Sequence, residues 1–147
     1  MDLNKLNDKQ QEAVRCIDGP LLIIAGAGSG KTSTMTHRIA YMIEQGISPY
    51  KILAVTFTNK AANEMRERIE GLCGEIHGMW VMTFHAMCLR MLRKHAGVIG
   101  YDKNFVIYDT ADQKTLVRNI CKELNLDSKE FKPAYIASVI SDKKEQG

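Results

Sequence analysis

The sequence predicts an α/β fold, a doubly wound parallel sheet followed by the start of a helical subdomain. Three observations carry that prediction. Short apolar runs at residues 21–25, 52–57 and 79–83 are each followed by a stretch in which apolar residues recur at helical spacing. The runs are continuous rather than alternating, as in strands buried on both faces of a parallel sheet. From about residue 100 onward the clear spacing is helical. Strand alternating with helix builds β-α-β units, whose right-handed crossovers lay the strands parallel.

The first run, 21–25, lies between Gly19–Pro20 and a glycine-rich loop. Met35, Ile39, Met42 and Ile43 then make one apolar helical stripe that Gly46 and Pro49 close. After the second run, Ala61, Met65, Ile69 and Leu72 mark a helix that Thr58 or Asn59 caps. After the third, Met87, Cys88, Met91 and Leu92 are expected to face inward from another helix. Residues 105–108 read as a short strand or an extended lead-in. Thr110 with Gln113 forms an expected capping box ahead of Leu116, Val117, Ile120 and Leu124. Pro133 suits the first turn of a last helix with Ile136, Val139 and Ile140 on its apolar face. The expected division is residues 1–100 and 101–147.

Composition narrows the function classes. The chain has 147 residues, 45% hydrophobic and 25% charged, as in a soluble domain. A net charge of +3 permits a local basic groove without announcing a nucleic-acid binder. The polar N-terminus lacks the apolar core of a signal peptide, and no apolar run reaches the ~18 residues of a membrane helix. Four scattered cysteines read as reduced thiols, so the expected location is cytoplasmic, with no membrane partner. Cys73, His77, His85 and Cys88 suggest zinc ligands, but the run between the pairs reads as a strand. At ~3.3 Å per residue it would hold the pairs too far apart to share one ion.

The loop after the first run reads Ala25-Gly26-Ala27-Gly28-Ser29-Gly30-Lys31-Thr32. It follows the phosphate-binding pattern G-x-x-x-x-G-K-S/T, with Ala25 in the first place. Glycines let backbone N–H groups curl around phosphate oxygens, and the helix that follows directs its positive end at the same anion. Lys31 would supply charge to the β and γ oxygens, and the Thr32 hydroxyl would ligate Mg²⁺. The nearest string to a guanine-reading Asn-Lys-x-Asp loop is Asn59-Lys60-Ala61-Ala62, which lacks the Asp, so ATP is favoured over GTP.

Four stretches, "LNDKQQEAV", "AGAGSGKT", "ILAVTFTNKAANEMRERI" and "VMTFHAMCLRMLRK", come in order. Together they strongly resemble the N-terminal end of the UvrD/Rep/PcrA-like superfamily-one DNA helicases, closely over the first hundred residues. The resemblance implies a RecA-like P-loop NTPase fold, with residues 101–147 beginning an inserted helical subdomain. It implies ATP hydrolysis coupled to 3′-to-5′ movement on single-stranded DNA or at a duplex junction. Gln10 would face the adenine edge. Where many relatives place an adenine-packing Arg, this sequence has Ser33, with Arg38 one turn on. The resemblance also implies DNA contacts at Thr56, Phe57, Thr58, Asn59 and Lys60, and again at Thr83 and His85. Phe57 would stack on a base, and Phe84 is expected in the core. Arg66, Arg68, Arg90, Arg93 and Lys94 read as a solvated helix face.

Turnover needs a strand-end acidic residue for Mg²⁺ and a group to orient water. The family uses an Asp-Glu pair, and no Asp-Glu occurs in these 147 residues. Asp109 reads as a helix-start residue. The expectation is therefore an N-terminal part of a longer helicase, inactive alone, whose second motor domain lies elsewhere. Two rivals remain: a self-contained small P-loop kinase with Asp109 on the metal, and a non-catalytic nucleotide-binding module.

Overall fold

Residues 2–127 and 130–146 are described in the computed structural model, and the chain divides into two compact units, 1–96 and 97–147. The first unit is mixed α/β. It holds helices α1 (Asp8–Arg15), α2 (Lys31–Glu44), α3 (Asn59–Cys73) and α4 (Phe84–His95), and strands β1 (Leu53–Thr56) and β2 (Trp80–Thr83). The strands pair in parallel, Leu53 opposite Trp80 and Thr56 opposite Thr83, with α3 as the crossover. Both strands therefore end side by side.

The core gathers Ile39, Ile52, Ala54, Ala62, Ile69, Ile76, Met79 and Val81. Ile69 is fully buried, a contribution of roughly 1.5–3 kcal/mol that seats α3 on the sheet. Helix α2 ends where expected: Gly46 takes φ +87°, its N–H donates to Ile43 O at 2.9 Å, and Ile47 N–H donates to Met42 O at 3.0 Å. These paired bonds satisfy the last carbonyls of the helix.

Residues 21–25 do not form the expected strand. A strand needs a neighbour to take its N–H and C=O groups, and β1 and β2 pair only with each other among the described residues. Leu22 is 82% exposed and Ile24 88%. One carbonyl on the outer edge of β2 is taken by a side chain. Trp80 N–H donates to Ile52 O, so the Val81 carbonyl leaves from the opposite edge, where Arg66 Nη2 donates to it at 2.9 Å. Arg66 is thus half-buried on β2 rather than solvated.

The buried faces of the helices are turned slightly from those expected. Met35 is exposed, while Thr34 and Thr36 are buried. Each sends its hydroxyl back to a helix carbonyl, Thr34 to Gly30 at 3.1 Å and Thr36 to Ser33 at 3.0 Å, which satisfies the polar group inside the core. Ala62 is buried where Ala61 was expected, and Thr58 is the cap of α3, accepting from Ala61 N–H at 3.1 Å. No side chain of α4 is fully buried; Met87 is half-buried and Cys88, Met91 and Leu92 are exposed. Two strands give this helix too little surface to cover its apolar side.

The second unit holds α5 (Thr110–Glu123) and α6 (Pro133–Gln146), packed on each other. Pro133 opens α6 as its backbone favours. Residues 105–108 form no strand. The capping box is not Thr110 with Gln113 but Asp109 with Asp112. Asp109 Oδ1 accepts from Ala111 and Asp112 N–H at 2.7 and 2.8 Å, and Asp109 N–H donates to Asp112 at 3.1 Å. Aspartate is a better cap than threonine, and its charge also complements the positive helix end. Leu124 falls beyond the helix and is exposed; there Asn125 takes φ +54° and plays the part that Gly46 plays for α2. No helix among the described residues is long and apolar enough to cross a membrane.

Candidate functional site

The glycine loop leads directly into α2. Gly28 and Gly30 sit at φ +72° and +79°, conformations in which a side chain is strained. Open space lies where side chains on Gly26 and Gly28 would project, so the loop backbone is accessible. Gly30 is the first flanking residue of α2 and no side chain caps this end. The amides of the first turn, Lys31 to Ser33, are therefore without a side-chain cap, an arrangement that can accept an anion. The loop is held by its own bonds: Ser29 Oγ donates to Gly26 O at 2.7 Å. Lys31 Nζ donates to Ala25 O at 3.0 Å and Gly26 O at 2.6 Å. Ala25 supplies the same backbone acceptor that a glycine would. Thr32 is exposed on the first turn, suited to a metal ion riding on a phosphate.

Gln10 is not a simple exposed helix residue. Its Oε1 accepts from Asn7 N–H at 2.9 Å, closing the capping box of α1, and its Nε2 donates to Ser29 O at 3.0 Å. Around this tie a small cavity of about 190 Å³ is lined by Asn7, Lys9, Gln10, Ile24, Ser29 and Lys31, among others. Ser33 stands at the inner side of the turn, its carbonyl 2.8 Å from His37 Nδ1. Arg38 is drawn away, donating through Nε to Cys16 O at 3.0 Å.

The second candidate surface is at the ends of β1 and β2. Thr56 and Thr83 are opposite each other and nearly buried. Thr56 Oγ1 donates to Thr58 O at 3.0 Å, so its proton is committed. The Thr58 and Thr83 hydroxyl oxygens accept from Ala61 and Ala86 N–H; Thr58 is exposed, whereas Thr83 is 8% exposed. Asn59, Lys60 and His85 are exposed beside them, Lys60 lying 4.0 Å from Glu64. Phe57 is 89% exposed. Phe84 is not in the core: it is 50% exposed, its ring centroid 6.0 Å from that of Phe57 at an interplanar angle of 47°. The reason lies in the corner. Thr83 caps α4, so the next residue leaves the sheet and faces the strand mouths. Sequence reasoning missed this pairing, although Phe follows Thr at both strand ends.

Arg90 is likewise not simply solvated; its guanidinium carbon lies 4.2 Å from the centroid of the Trp80 ring. Cys73, half-buried, has its thiol pKa raised first by burial and then by the charge of Glu70.

A parallel strand pair, a glycine loop and an uncapped helix start together define a mixed α/β domain. The UvrD/REP helicase N-terminal domain model matches residues 6–147, and the chain belongs to that family. It is 51% identical over 146 residues to proteins named ATP-dependent DNA helicase PcrA from Staphylococcus aureus (strain Mu50) and Staphylococcus epidermidis (strain ATCC 12228). The match covers 98% of this chain and 20% of each relative, so the chain spans about a fifth of their length.

Proposed function

We propose that this chain is the nucleotide-holding first part of an ATP-dependent DNA helicase that moves 3′-to-5′ on single-stranded DNA. Its front unit reads as the N-terminal part of a doubly wound, RecA-like motor domain, and its back unit as the beginning of an inserted helical subdomain. The observation that carries the reading is the open N-terminus of α2 beneath a glycine loop, with Lys31 at its rim.

The residues fit ATP with Mg²⁺. The loop amides from Gly26 to Ser33 would hold phosphate oxygens, and Lys31 would exchange its two carbonyl acceptors for them. Thr32 would bind the metal, and Gln10, at the wall of the adjoining cavity, would read adenine. Bound ATP–Mg²⁺ supplies a phosphoanhydride whose hydrolysis drives movement. Thr58, Asn59, Lys60, Thr83 and His85 would hold DNA phosphates, with Thr56 shaping the corner and Phe57 offering a face to bases. A second motor domain would close over the nucleotide, and the working place is the cytoplasm. The kinase rival depends on Asp109 as a metal ligand, and Asp109 serves as the cap of α5, its Oδ1 accepting from two amides.

Calorimetric titration with ATP–Mg²⁺ and GTP–Mg²⁺, and anisotropy with a labelled oligo(dT), test the reading. ATP is expected to bind more tightly than GTP, and oligo(dT) to bind with strong salt dependence. Equal nucleotide affinities with no DNA binding would overturn it.

A further inference from the structure

We infer that Arg90 is a positioning residue for the aromatic pair at the strand mouths, acting through its seat over Trp80. The inference rests on the DNA reading of that surface only for its functional consequence. Helix α4 has no fully buried side chain to fix its place. Ala86, Met87 and Leu89 are half-buried and Ala96, its C-terminal cap, is fully buried. Toward the strand mouths it is held by its covalent start at Thr83, the Thr83 cap, the Phe57–Phe84 ring contact and the Arg90 guanidinium 4.2 Å from the Trp80 centroid. Trp80 opens β2 and Arg90 lies midway along α4, so their contact closes an eleven-residue ring, Trp80 to Arg90. Thr83 and Phe84 are the corner inside that ring.

Pinning both arms fixes the corner. β2 is itself fixed, paired to β1 in register and bonded by Arg66 at Val81. Arg90 therefore adds a tie between the sheet and the middle of α4, and Phe84 stays against Phe57 in consequence. The contact is electrostatic, a cation on the negative face of an indole, so a lysine at this place retains part of it and a neutral residue none. Trp80 is the only tryptophan of the chain, which makes the contact directly observable.

The test compares Arg90→Ala, Arg90→Lys and Trp80→Phe with the wild type, each checked for folding by circular dichroism. The primary readout is the proton–proton Overhauser signal between the Phe57 and Phe84 rings, in protein with labelled phenylalanine. This signal is expected to weaken measurably in Arg90→Ala and to persist in Arg90→Lys, with the Trp80 emission of Arg90→Ala shifted. Oligo(dT) affinity is expected to fall about two- to five-fold in Arg90→Ala, the size of a part-exposed cation–π contact. It should recover within twofold in Arg90→Lys, and Trp80→Phe should fall between. An Overhauser signal unchanged in Arg90→Ala overturns the inference, whatever the DNA result. If the rings separate in Arg90→Ala while the wild type binds no oligo(dT), the DNA reading falls and the positioning role stands. Should Arg90→Ala not fold, an intact signal in both Trp80→Phe and Arg90→Gln overturns the inference and a weakened one supports it.

Discussion

Gln10 Nε2 donates to the Ser29 carbonyl at 3.0 Å, which ties the first helix to the glycine loop across nineteen residues of sequence. The same amide, through Oε1, closes the capping box of α1 on Asn7. One side chain thus serves helix and loop with opposite ends. Gln10→Glu separates the two roles, because a carboxylate still accepts from Asn7 but cannot donate to Ser29. Thermal unfolding is expected to change by less than about 1 kcal/mol, within the range of one exposed hydrogen bond. The preference for ATP over GTP is expected to disappear in calorimetry. An unchanged preference would remove Gln10 from the base-reading site.

Lys31 is exposed, and its two bonds run to carbonyls of its own loop. Little stability rests on it. Charge-assisted bonds to phosphate contribute about 1.5–3 kcal/mol each, so Lys31→Ala should weaken ATP–Mg²⁺ binding at least tenfold. Its unfolding midpoint should stay close to wild type. A large loss of stability with unaltered nucleotide affinity would assign Lys31 to the fold alone.

For Phe57, an exposure of 89% means that truncation empties no core cavity. The ring contact with Phe84 limits the stability cost of Phe57→Ala to about 0.5–1.5 kcal/mol. Base stacking is worth about 1–3 kcal/mol, so oligonucleotide affinity should fall about five- to hundred-fold, with little dependence on sequence. Anisotropy with oligo(dT) and a mixed-sequence oligomer checks it. Undiminished affinity for both would show that DNA passes elsewhere.

Much of the front unit was legible because its signals are local. The continuous runs placed β1 and β2, Gly46 closed α2, and Ile39 and Ile69 reached the core. The expected strand at 21–25 failed because a strand is completed by its neighbour, and the run itself cannot say whether one is there. The helix faces were misjudged where a threonine could be buried against its own helix carbonyl, as at Thr34 and Thr36. The glycine loop and Lys31 could be read at once, since their chemistry is contiguous. The Gln10–Ser29, Arg66–Val81 and Arg90–Trp80 contacts join separate elements and needed the fold. The Asn7-x-x-Gln10 spacing did carry a capping-box signal for Gln10.

Thiol chemistry gives a pH-dependent check. Cys16 and Cys88 are exposed, whereas Cys73 is held protonated by burial and by Glu70. Because the folded state raises this pKa, its neutral thiol contributes stability that is fully present below the unfolded value. That contribution fades as pH rises through the folded one. Labelling with a disulfide reagent should therefore reach Cys16 and Cys88 first, with Cys73 lagging and accelerating only at alkaline pH. Cys73→Ala should flatten the part of the alkaline stability decline that this thiol causes. Equal labelling rates for Cys73 and Cys88 at neutral pH would contradict the burial of Cys73.

This chain alone should not turn over ATP at a meaningful rate. The loop and Lys31 can hold phosphates, and Thr32 can reach a metal ion. Phosphoryl transfer, however, is nearly all positioning and charge stabilisation, and an acidic residue must fix the metal and the attacking water. The sequence holds no Asp-Glu pair, and Asp109 gives one carboxylate oxygen, Oδ1, to the amides of Ala111 and Asp112. Arginines supplied in trans are worth about 10³–10⁵ in rate in such enzymes, and a closing second domain would have to bring them. A phosphate-release assay, with and without oligonucleotide, should thus read background while calorimetry still detects ATP. Robust hydrolysis that disappears in Asp109→Asn would show a self-contained enzyme and overturn the helicase-part reading.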